Sequence, residues 1–163
     1  MALVVEDGTG RADSESYITV AAADTRHTAL GNTAWTGTDA AKESALRRAT
    51  QFMLQRYRQQ WKGTRLLRAQ ALDWPRYGAI VDGFDVASSA VPTDIANACA
   101  DLALRALADD LAPDQERVAI REKVGPLETE YSPHASQSVQ YVAVDRALAP
   151  YLRGGGMSRL ERA

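Results

Sequence analysis

Cysteine and histidine are scarce in this chain of 163 residues, which contains one Cys and two His. The single cysteine, Cys99, cannot support an internal disulfide framework. Because it lies in the apolar helical pattern Ile95-Ala-Asn-Ala-Cys99, we expect a small buried side chain and not a reactive thiol. His27 and His134 are far apart and have no cysteine or histidine at metal-ligand spacing, so we predict surface roles for both and no metal site.

Long apolar runs and catalytic motifs are also missing. No stretch approaches the roughly 18 consecutive apolar residues that a membrane span requires, and Glu6 and Asp7 interrupt any N-terminal apolar segment. There is no HExxH, CxxC or G-x-S-x-G motif, and residues 154–156 lack the Lys-Ser/Thr of a phosphate-binding loop. We therefore expect a soluble protein that is made in a cytoplasm, uses no cofactor and is not an enzyme.

The charge of the chain is unevenly distributed, although its net value is only −2. Residues 42–76 contain nine basic and two acidic residues, whereas residues 77–116 contain eight acidic residues and the single Arg105. Two neighbouring stretches therefore carry net charges of +7 and −7. The small overall charge argues against a general nucleic-acid binder, and the asymmetry is the most informative feature of the composition.

Helical periodicity predicts two helices in the first part of the chain. Thr19 is a suitable N-cap for a helix from Val20 to about Leu30, and Thr38 or Asp39 for a longer one from about Ala40 to Gln60. Trp35, in the loop between them, is expected to anchor that loop in the core. The buried stripe of the long helix is expected at Leu46, Ala49, Met53 and Tyr57.

The second half of the chain predicts two more helices and one hairpin. Thr93 is the expected cap of a third helix, whose buried face contains Ile95, Ala98, Leu102 and Ala106. About ten residues from Gly78 are predicted to form a loop, and alternation around Val124-Gly125-Pro126 predicts a β-hairpin. A last helix is expected over about Val142 to Leu152. The predicted fold is mainly α, a single domain over residues 1–163 with a compact bundle of about four helices, a hairpin between the third and last helix, and a mobile tail over residues 153–163.

Three interpretations of the basic stretch remain open. Tyr57, Trp61 and Trp74 interleave with its arginines, as in a stacking groove for single-stranded DNA. The alternative is a solvated helix face beside core aromatics, which the place of Tyr57 in the buried stripe favours. For the same reason we predict that Trp35, Trp61 and Trp74 are structural.

The third interpretation is a contact between copies of the chain, in which a basic surface meets an acidic one. Such head-to-tail contacts close into rings when the rotation permits, and opposite potentials set their register. Asp109 and Asp110 oppose the dipole at a helix C-terminus, which suggests that they serve a contact. The basic side of this predicted contact consists of Arg47, Arg48, Arg56 and Arg58, and the acidic side of Asp101, Asp109 and Asp110.

Several segments, in order, resemble the head–tail connectors (adaptor or head-completion proteins) of tailed bacteriophages. They are Leu3-Val-Val-Glu-Asp-Gly8, Ala12-Asp-Ser-Glu-Ser-Tyr-Ile18, Ala45-Leu-Arg-Arg-Ala-Thr50, Gln70-Ala-Leu-Asp-Trp-Pro-Arg76, Arg121-Glu-Lys-Val-Gly-Pro126 and Leu152-Arg-Gly-Gly-Gly156. The segment Gln70–Arg76 is the most specific. Proteins of this kind are often labelled DnaT-like single-stranded DNA-binding, so the alternative function is that of a phage single-stranded DNA-binding replication protein.

The resemblance implies a structural virion protein that is assembled in the host cytoplasm and sits at the head–tail interface. It implies a homo-oligomeric ring of about twelve subunits, bound to the portal protein and to a tail or stopper protein. Genome DNA would pass through its lumen without sequence-specific binding, and no membrane is involved. The C-terminal tail would dock on the portal through Arg153, Met157, Arg159 and Leu160.

Overall fold

Four helices form the framework of the computed structural model, which describes residues 2–113, 121–124, 127–130 and 139–154. They are α1 (Val20–Ala29), α2 (Asp39–Tyr57), α3 (Thr93–Ala108) and α4 (Val142–Leu148), the last continued by a short 3-10 helix at Ala149–Tyr151. The strands of the described residues are β1 (Thr64–Arg65), β2 (Arg76–Tyr77), β3 (Ile80–Val81), β4 (Phe84–Asp85), β5 (Arg121–Val124) and β6 (Leu127–Glu130). The predicted mainly helical fold is confirmed at this level. None of the helices in these ranges is long and apolar enough to cross a membrane.

The helix ends follow from local chemistry. The hydroxyl of Thr19 accepts a hydrogen bond from the backbone N–H of Ala22 at 3.1 Å, and α1 begins at the next residue, as predicted. Thr38 caps α2 in the same way. The N-cap of α3 is Pro92, so the prediction of Thr93 as its cap was wrong by one residue. Pro150 has no N–H to continue the α-helical pattern, and α4 gives way to the 3-10 helix before it.

The core lies mainly between α2 and α3, which pack against each other. The predicted stripes of both helices are buried. Cys99 is fully buried on α3, and its sulfur lies 3.3 Å from the hydroxyl of Thr50 on α2. Burial raises the pKa of this thiol, which keeps it protonated and confirms the prediction of a small core side chain.

A buried carboxylate organises the N-terminal segment. Glu6 is 5% exposed, and its oxygens accept hydrogen bonds from three backbone N–H groups and one hydroxyl. These donors belong to Gly8, Gly10, Arg11 and Ser14. A Cβ on Gly8 would lie 2.1 Å from the carbonyl oxygen of Ser89, so only glycine permits this close approach of the loop to the segment before α3.

Residues 76–85 contain three short strands, two of which lie where the sequence predicted a loop from Gly78. Strand β2 pairs antiparallel with β1, and β3 pairs with β4 through a two-residue turn. The turn residues Asp82 and Gly83 both have positive φ, 51° and 85°, which is the geometry of a type I′ hairpin. Asp-Gly between Val81 and Phe84 is a hairpin signal, but the short flanking strands concealed it.

The hairpin predicted after α3 is confirmed in its backbone. Strands β5 and β6 are antiparallel, with Val124 opposite Leu127, and they lie between α3 and α4 in the chain. His134, for which a surface role was predicted, lies outside the described residues, as does the tail beyond Gly154. The predicted mobility of that tail therefore stays a prediction.

Candidate nucleic-acid interface

The most specific sequence motif, Gln70–Arg76, is buried. Trp74 is 0% and Asp73 1% exposed, and Arg76 is almost as inaccessible. The Arg76 guanidinium donates to three carbonyl oxygens: those of Lys62 at 2.7 Å, Gly63 at 2.8 Å and Asp73 at 3.1 Å. Burial lowers the pKa of Arg76 and the nearby Asp73 opposes that shift. The motif therefore joins the turn after α2 to strand β2 and presents little surface to a partner.

The aromatic rings of the predicted stacking groove lie in the core. Tyr57, Trp61, Trp74 and Tyr151 form a chain of contacts with ring centroids 5.6, 5.8 and 5.7 Å apart. All four are buried, and so is Trp35. The structural role predicted for the three tryptophans is confirmed, because rings packed in this way cannot stack on bases. The hydroxyl of Tyr57 donates to Asp145, and burial together with that carboxylate raises the pKa of the phenol.

The arginines of the predicted basic side are mostly paired within the chain. Arg47 bonds to Glu15 at 3.0 Å and to Glu43 at 3.4 Å. Arg56 pairs with Asp145 and Arg58 with the buried Asp73, each at 3.1 Å. Arg48 is exposed. The hydrogen bond from Arg47 lowers the pKa of the Glu15 carboxyl.

The predicted acidic side likewise contains one residue that is paired within the chain and two that are exposed. Asp101 holds a bidentate pair with Arg26 at 2.8 and 3.0 Å. Asp109 and Asp110 are exposed, and Asp110 accepts a hydrogen bond from the backbone N–H of Ala112. Within the part of the chain that the structure describes, no ion pair joins residues 42–76 to residues 77–116. Pairing of the two stretches between copies stays a prediction.

His27 is buried and not on the surface, contrary to the prediction. It is 1% exposed, its Nε2 lies 3.1 Å from the carbonyl oxygen of Ala100, and its Nδ1 lies 3.0 Å from the Asn32 side-chain amide. Burial lowers its pKa and favours the neutral ring. Its role is to join α1 to α3. No group of three or more potential metal ligands occurs in the described ranges.

A cluster of cations surrounds the carbonyl oxygen of Gly63. Arg76 and Arg153 each donate to this oxygen at 2.8 Å, and Arg65 lies opposite Arg76 across the β1–β2 pair. Lys62 donates from Nζ to the carbonyl of Ile80 at 3.2 Å, which ties the cluster to strand β3. Of the residues predicted to dock on a portal, Arg153 is thus part of this cluster, whereas Met157, Arg159 and Leu160 lie outside the described residues.

Gly63 allows the strands to approach this cluster closely. Its φ is +68°, and an added Cβ would lie 2.5 Å from the carbonyl oxygen of Tyr77. The backbone of residues 77–79 therefore passes directly over Gly63. Strand β2 and the β3–β4 hairpin are held beside the cations as a result.

The same strands carry the most exposed aromatic rings of the described residues. Tyr77 is 69% and Phe84 77% exposed, and Ile80 is also exposed. Tyr77 lies opposite Thr64, and Phe84 lies opposite Val81 at the hairpin turn. We call this surface the β face and define it by Lys62, Tyr77, Phe84 and Arg153.

Sequence reasoning missed the β face because it placed residues 78–87 in a loop. Tyr77 and Phe84 stand at the ends of two-residue strands, too short for an alternating pattern. The Asp82-Gly83 signal could have located the hairpin, and an aromatic residue directly after such a turn is a visible clue.

The chain was compared with known families, curated proteins and solved structures. A family model described as "Putative DnaT-like ssDNA binding protein" matches residues 1–163. No curated protein and no solved structure matches.

Proposed function

The chain belongs to the family of putative DnaT-like ssDNA-binding proteins, and from that premise we propose that it binds single-stranded DNA through the β face. The observation that carries the proposal is the pair of exposed rings, Tyr77 and Phe84, on strands that adjoin the cations of Lys62 and Arg153. A binding role of this kind needs no cofactor, metal or catalytic residue.

The physical basis is the combination of stacking and charge. Stacking of a base on an aromatic ring contributes about 1–3 kcal/mol and tolerates any base, because every base has a flat π-face. Cations attract the phosphates and make the affinity depend on salt. Rings as exposed as Phe84 can meet a base without any rearrangement of the core.

The acidic residues of the β3–β4 hairpin set the orientation of the bound DNA on the β face. Asp82 and Asp85 flank Phe84 and are exposed, so they repel phosphates. Lys62 donates to the carbonyl of Ile80 and Arg153 to that of Gly63, so both cations lie at the Gly63 end of this surface. The proposal therefore places the bases on the rings and the phosphates toward Lys62 and Arg153.

The test is a titration of fluorescently labelled oligothymidine followed by anisotropy. We expect Phe84→Ala and Tyr77→Ala each to weaken binding by roughly fivefold or more, since one stacking contact is lost. Leu30→Ala is the matched control, because Leu30 is an exposed apolar residue directly after α1. For the native protein the slope of log affinity against log salt should be about −1.4 for two phosphates, one each for Lys62 and Arg153. Unchanged affinity in both aromatic variants would contradict the proposal.

A second candidate function is that of a subunit in a head–tail connector ring. It is favoured by the exposed Asp82, Asp85, Asp109 and Asp110, which make no ion pair with the described residues and are available to a basic surface such as Arg48 on another copy. On this candidate the protein is located in the virion, bound to portal and tail proteins, with DNA in its lumen.

Native mass spectrometry at moderate salt separates the two candidates. A connector subunit should form a ring, and Arg48→Glu should reduce its assembly while the monomer remains helical. Arg48 is the cleaner choice over Arg47, which already pairs with Glu15 within the chain. A monomer at all protein concentrations, together with salt-dependent binding of oligothymidine, would reject the second candidate and support the first.

A further inference from the structure

A polar trough runs along the outer side of α2 toward its C-terminal end. Its outer part has a volume of about 560 Å³ and is lined chiefly by Gln51, Gln55, Arg56, Arg58, Gln59 and Gln60. A second part shares Arg56 and Gln60 with the first and continues to Arg153. Since Arg153 belongs to the β face, the trough and the β face form one continuous surface.

Glutamine amides dominate the outer part of the trough. Gln51 and Gln55 are four residues apart on one face of α2, and Gln59, two residues after the helix ends, lines the same trough. All three are exposed, and their side chains make no hydrogen bond with the described residues. An amide can both donate and accept, so it can bind a base edge or a phosphate oxygen without a change in charge.

The charge of the trough suits a polyanion. Arg58 donates to the buried Asp73 yet its side chain remains 52% exposed at the rim. The carboxylate of Asp145, in the inner part, is neutralised by Arg56 at 3.1 Å. Among the described residues no carboxylate lines the outer part, although the exposed Asp110 borders Gln51 and Gln55 at the end farther from Arg153. A nucleic-acid strand that leaves the β face past Arg153 thus meets donors and cations before it reaches an exposed acid.

We propose that single-stranded DNA bound at the β face continues into this trough, with phosphates near Arg153 and Arg58 and with the amides of the trough glutamines on bases or phosphates. This inference rests on the proposed function. From Gln51 to the end of α2 at Tyr57 the trough is about 9 Å long at 1.5 Å per residue, enough for about two or three further nucleotides at roughly 3.4 Å each. The trough thus sets the length of strand that the protein prefers.

The test compares oligothymidines of different length. The native protein should bind dT12 several-fold more tightly than dT4, beyond the statistical gain from a longer strand. The triple variant Gln51→Ala, Gln55→Ala, Gln59→Ala should lose roughly fivefold or more of its affinity for dT12, as expected for a few lost hydrogen bonds, and almost none for dT4. Alanine is a strong helix former, so the variant should keep its fold.

Two further variants sharpen the result. Gln55→Glu places a negative charge in the trough and should weaken dT12 binding more at low salt than at high salt. Gln140→Ala, an exposed glutamine before α4 and outside the trough, is the matched control and should bind dT12 as the native protein does.

The outcomes distinguish this inference from the proposed function. If Phe84→Ala weakens dT4 binding while the triple variant and Gln55→Glu bind dT12 normally, the β face is the binding site and the trough proposal is wrong. If neither Phe84→Ala nor the trough variants change the affinity, or the native protein binds no oligothymidine, both proposals fall.

Discussion

Residues 70–76 and residues 77–85 are neighbours in the chain but differ in almost every physical respect. The first segment contains Trp74 and Arg76, buried and bonded to the turn after α2. The second contains Tyr77 and Phe84, among the most exposed rings of the described structure. The segment that is most specific in the resemblance to connector proteins is therefore one that builds the fold, and the segment with a surface for binding carries no part of that resemblance.

The difference has a physical reason. A buried guanidinium that satisfies three carbonyl oxygens has no substitute among the other side chains, because only arginine has five donors in a fixed planar arrangement. An exposed stacking ring is less demanding, since Phe, Tyr or Trp can serve. Distinctive residues accordingly mark the places where packing is strict, and binding surfaces have to be found by exposure and charge.

The largest expected loss of stability comes from Arg76→Ala, in the buried segment of this comparison. Loss of the guanidinium leaves the carbonyls of Lys62 and Asp73 without this donor and that of Gly63 with Arg153 only, and we expect the free energy of unfolding to fall by about 3 kcal/mol or more. Urea unfolding followed by circular dichroism measures it. Arg68→Ala, at an exposed position, is the control and should cost less than about 0.5 kcal/mol. Equal losses of stability in the two variants would contradict the structural role of the motif.

Gly63→Ala should cause the next largest loss of stability. It should affect both segments of this comparison, because the carbonyl oxygen of Gly63 accepts a hydrogen bond from Arg76 and the backbone of residues 77–79 passes over Gly63. The positive φ and the 2.5 Å approach of an added Cβ to the Tyr77 carbonyl oxygen predict a loss of about 1–3 kcal/mol. The displaced β2 strand should also weaken oligothymidine binding. Gly78→Ala is the control, because its φ is also positive but nothing lies within 4 Å of its added Cβ. If the Gly63→Ala variant lost stability but bound DNA normally, DNA binding would not depend on the close approach of β2 to Gly63.

A smaller effect is expected from the titration of His27. Its pKa is lowered in the folded state, so as pH falls below about 6.5 the unfolded chain takes up a proton first and stability declines. Asp101 and Asp24 oppose this shift and Arg26 adds to it. Denaturant midpoints between pH 7.5 and 5 should fall for the native protein and fall less for His27→Gln. Parallel pH profiles would show that other groups control stability in this range.

The smallest expected change in stability comes from Phe84→Ala. A ring that is 77% exposed contributes little to the core, so the free energy of unfolding should change by less than about 0.5 kcal/mol. Thermal unfolding of the variant and the native protein, measured side by side, gives this difference. A loss above about 1 kcal/mol would mean that the ring is a structural element, and its effect on binding could then be indirect.

The helices could be predicted from the sequence because capping and periodicity are local properties. Thr19 and Thr38 cap α1 and α2 as predicted, and the stripe from Leu46 to Tyr57 is buried. The partners of the arginines could not be predicted, because Arg56 meets Asp145 only after α4 has packed. His27 was misplaced for a similar reason: its acceptor on α3 lies 73 residues away in sequence.

The central claim is that single-stranded DNA contacts the β face. Photo-cross-linking of the native protein to oligothymidine with 5-iododeoxyuridine at successive positions, followed by peptide mass spectrometry, tests it most directly, because this base cross-links efficiently to an aromatic ring stacked on it. We expect the modified peptides to contain Tyr77 or Phe84 and the yield to fall as salt screens the phosphates. Cross-links confined to peptides of α1 or α3, with Tyr77 and Phe84 unmodified, would contradict the account.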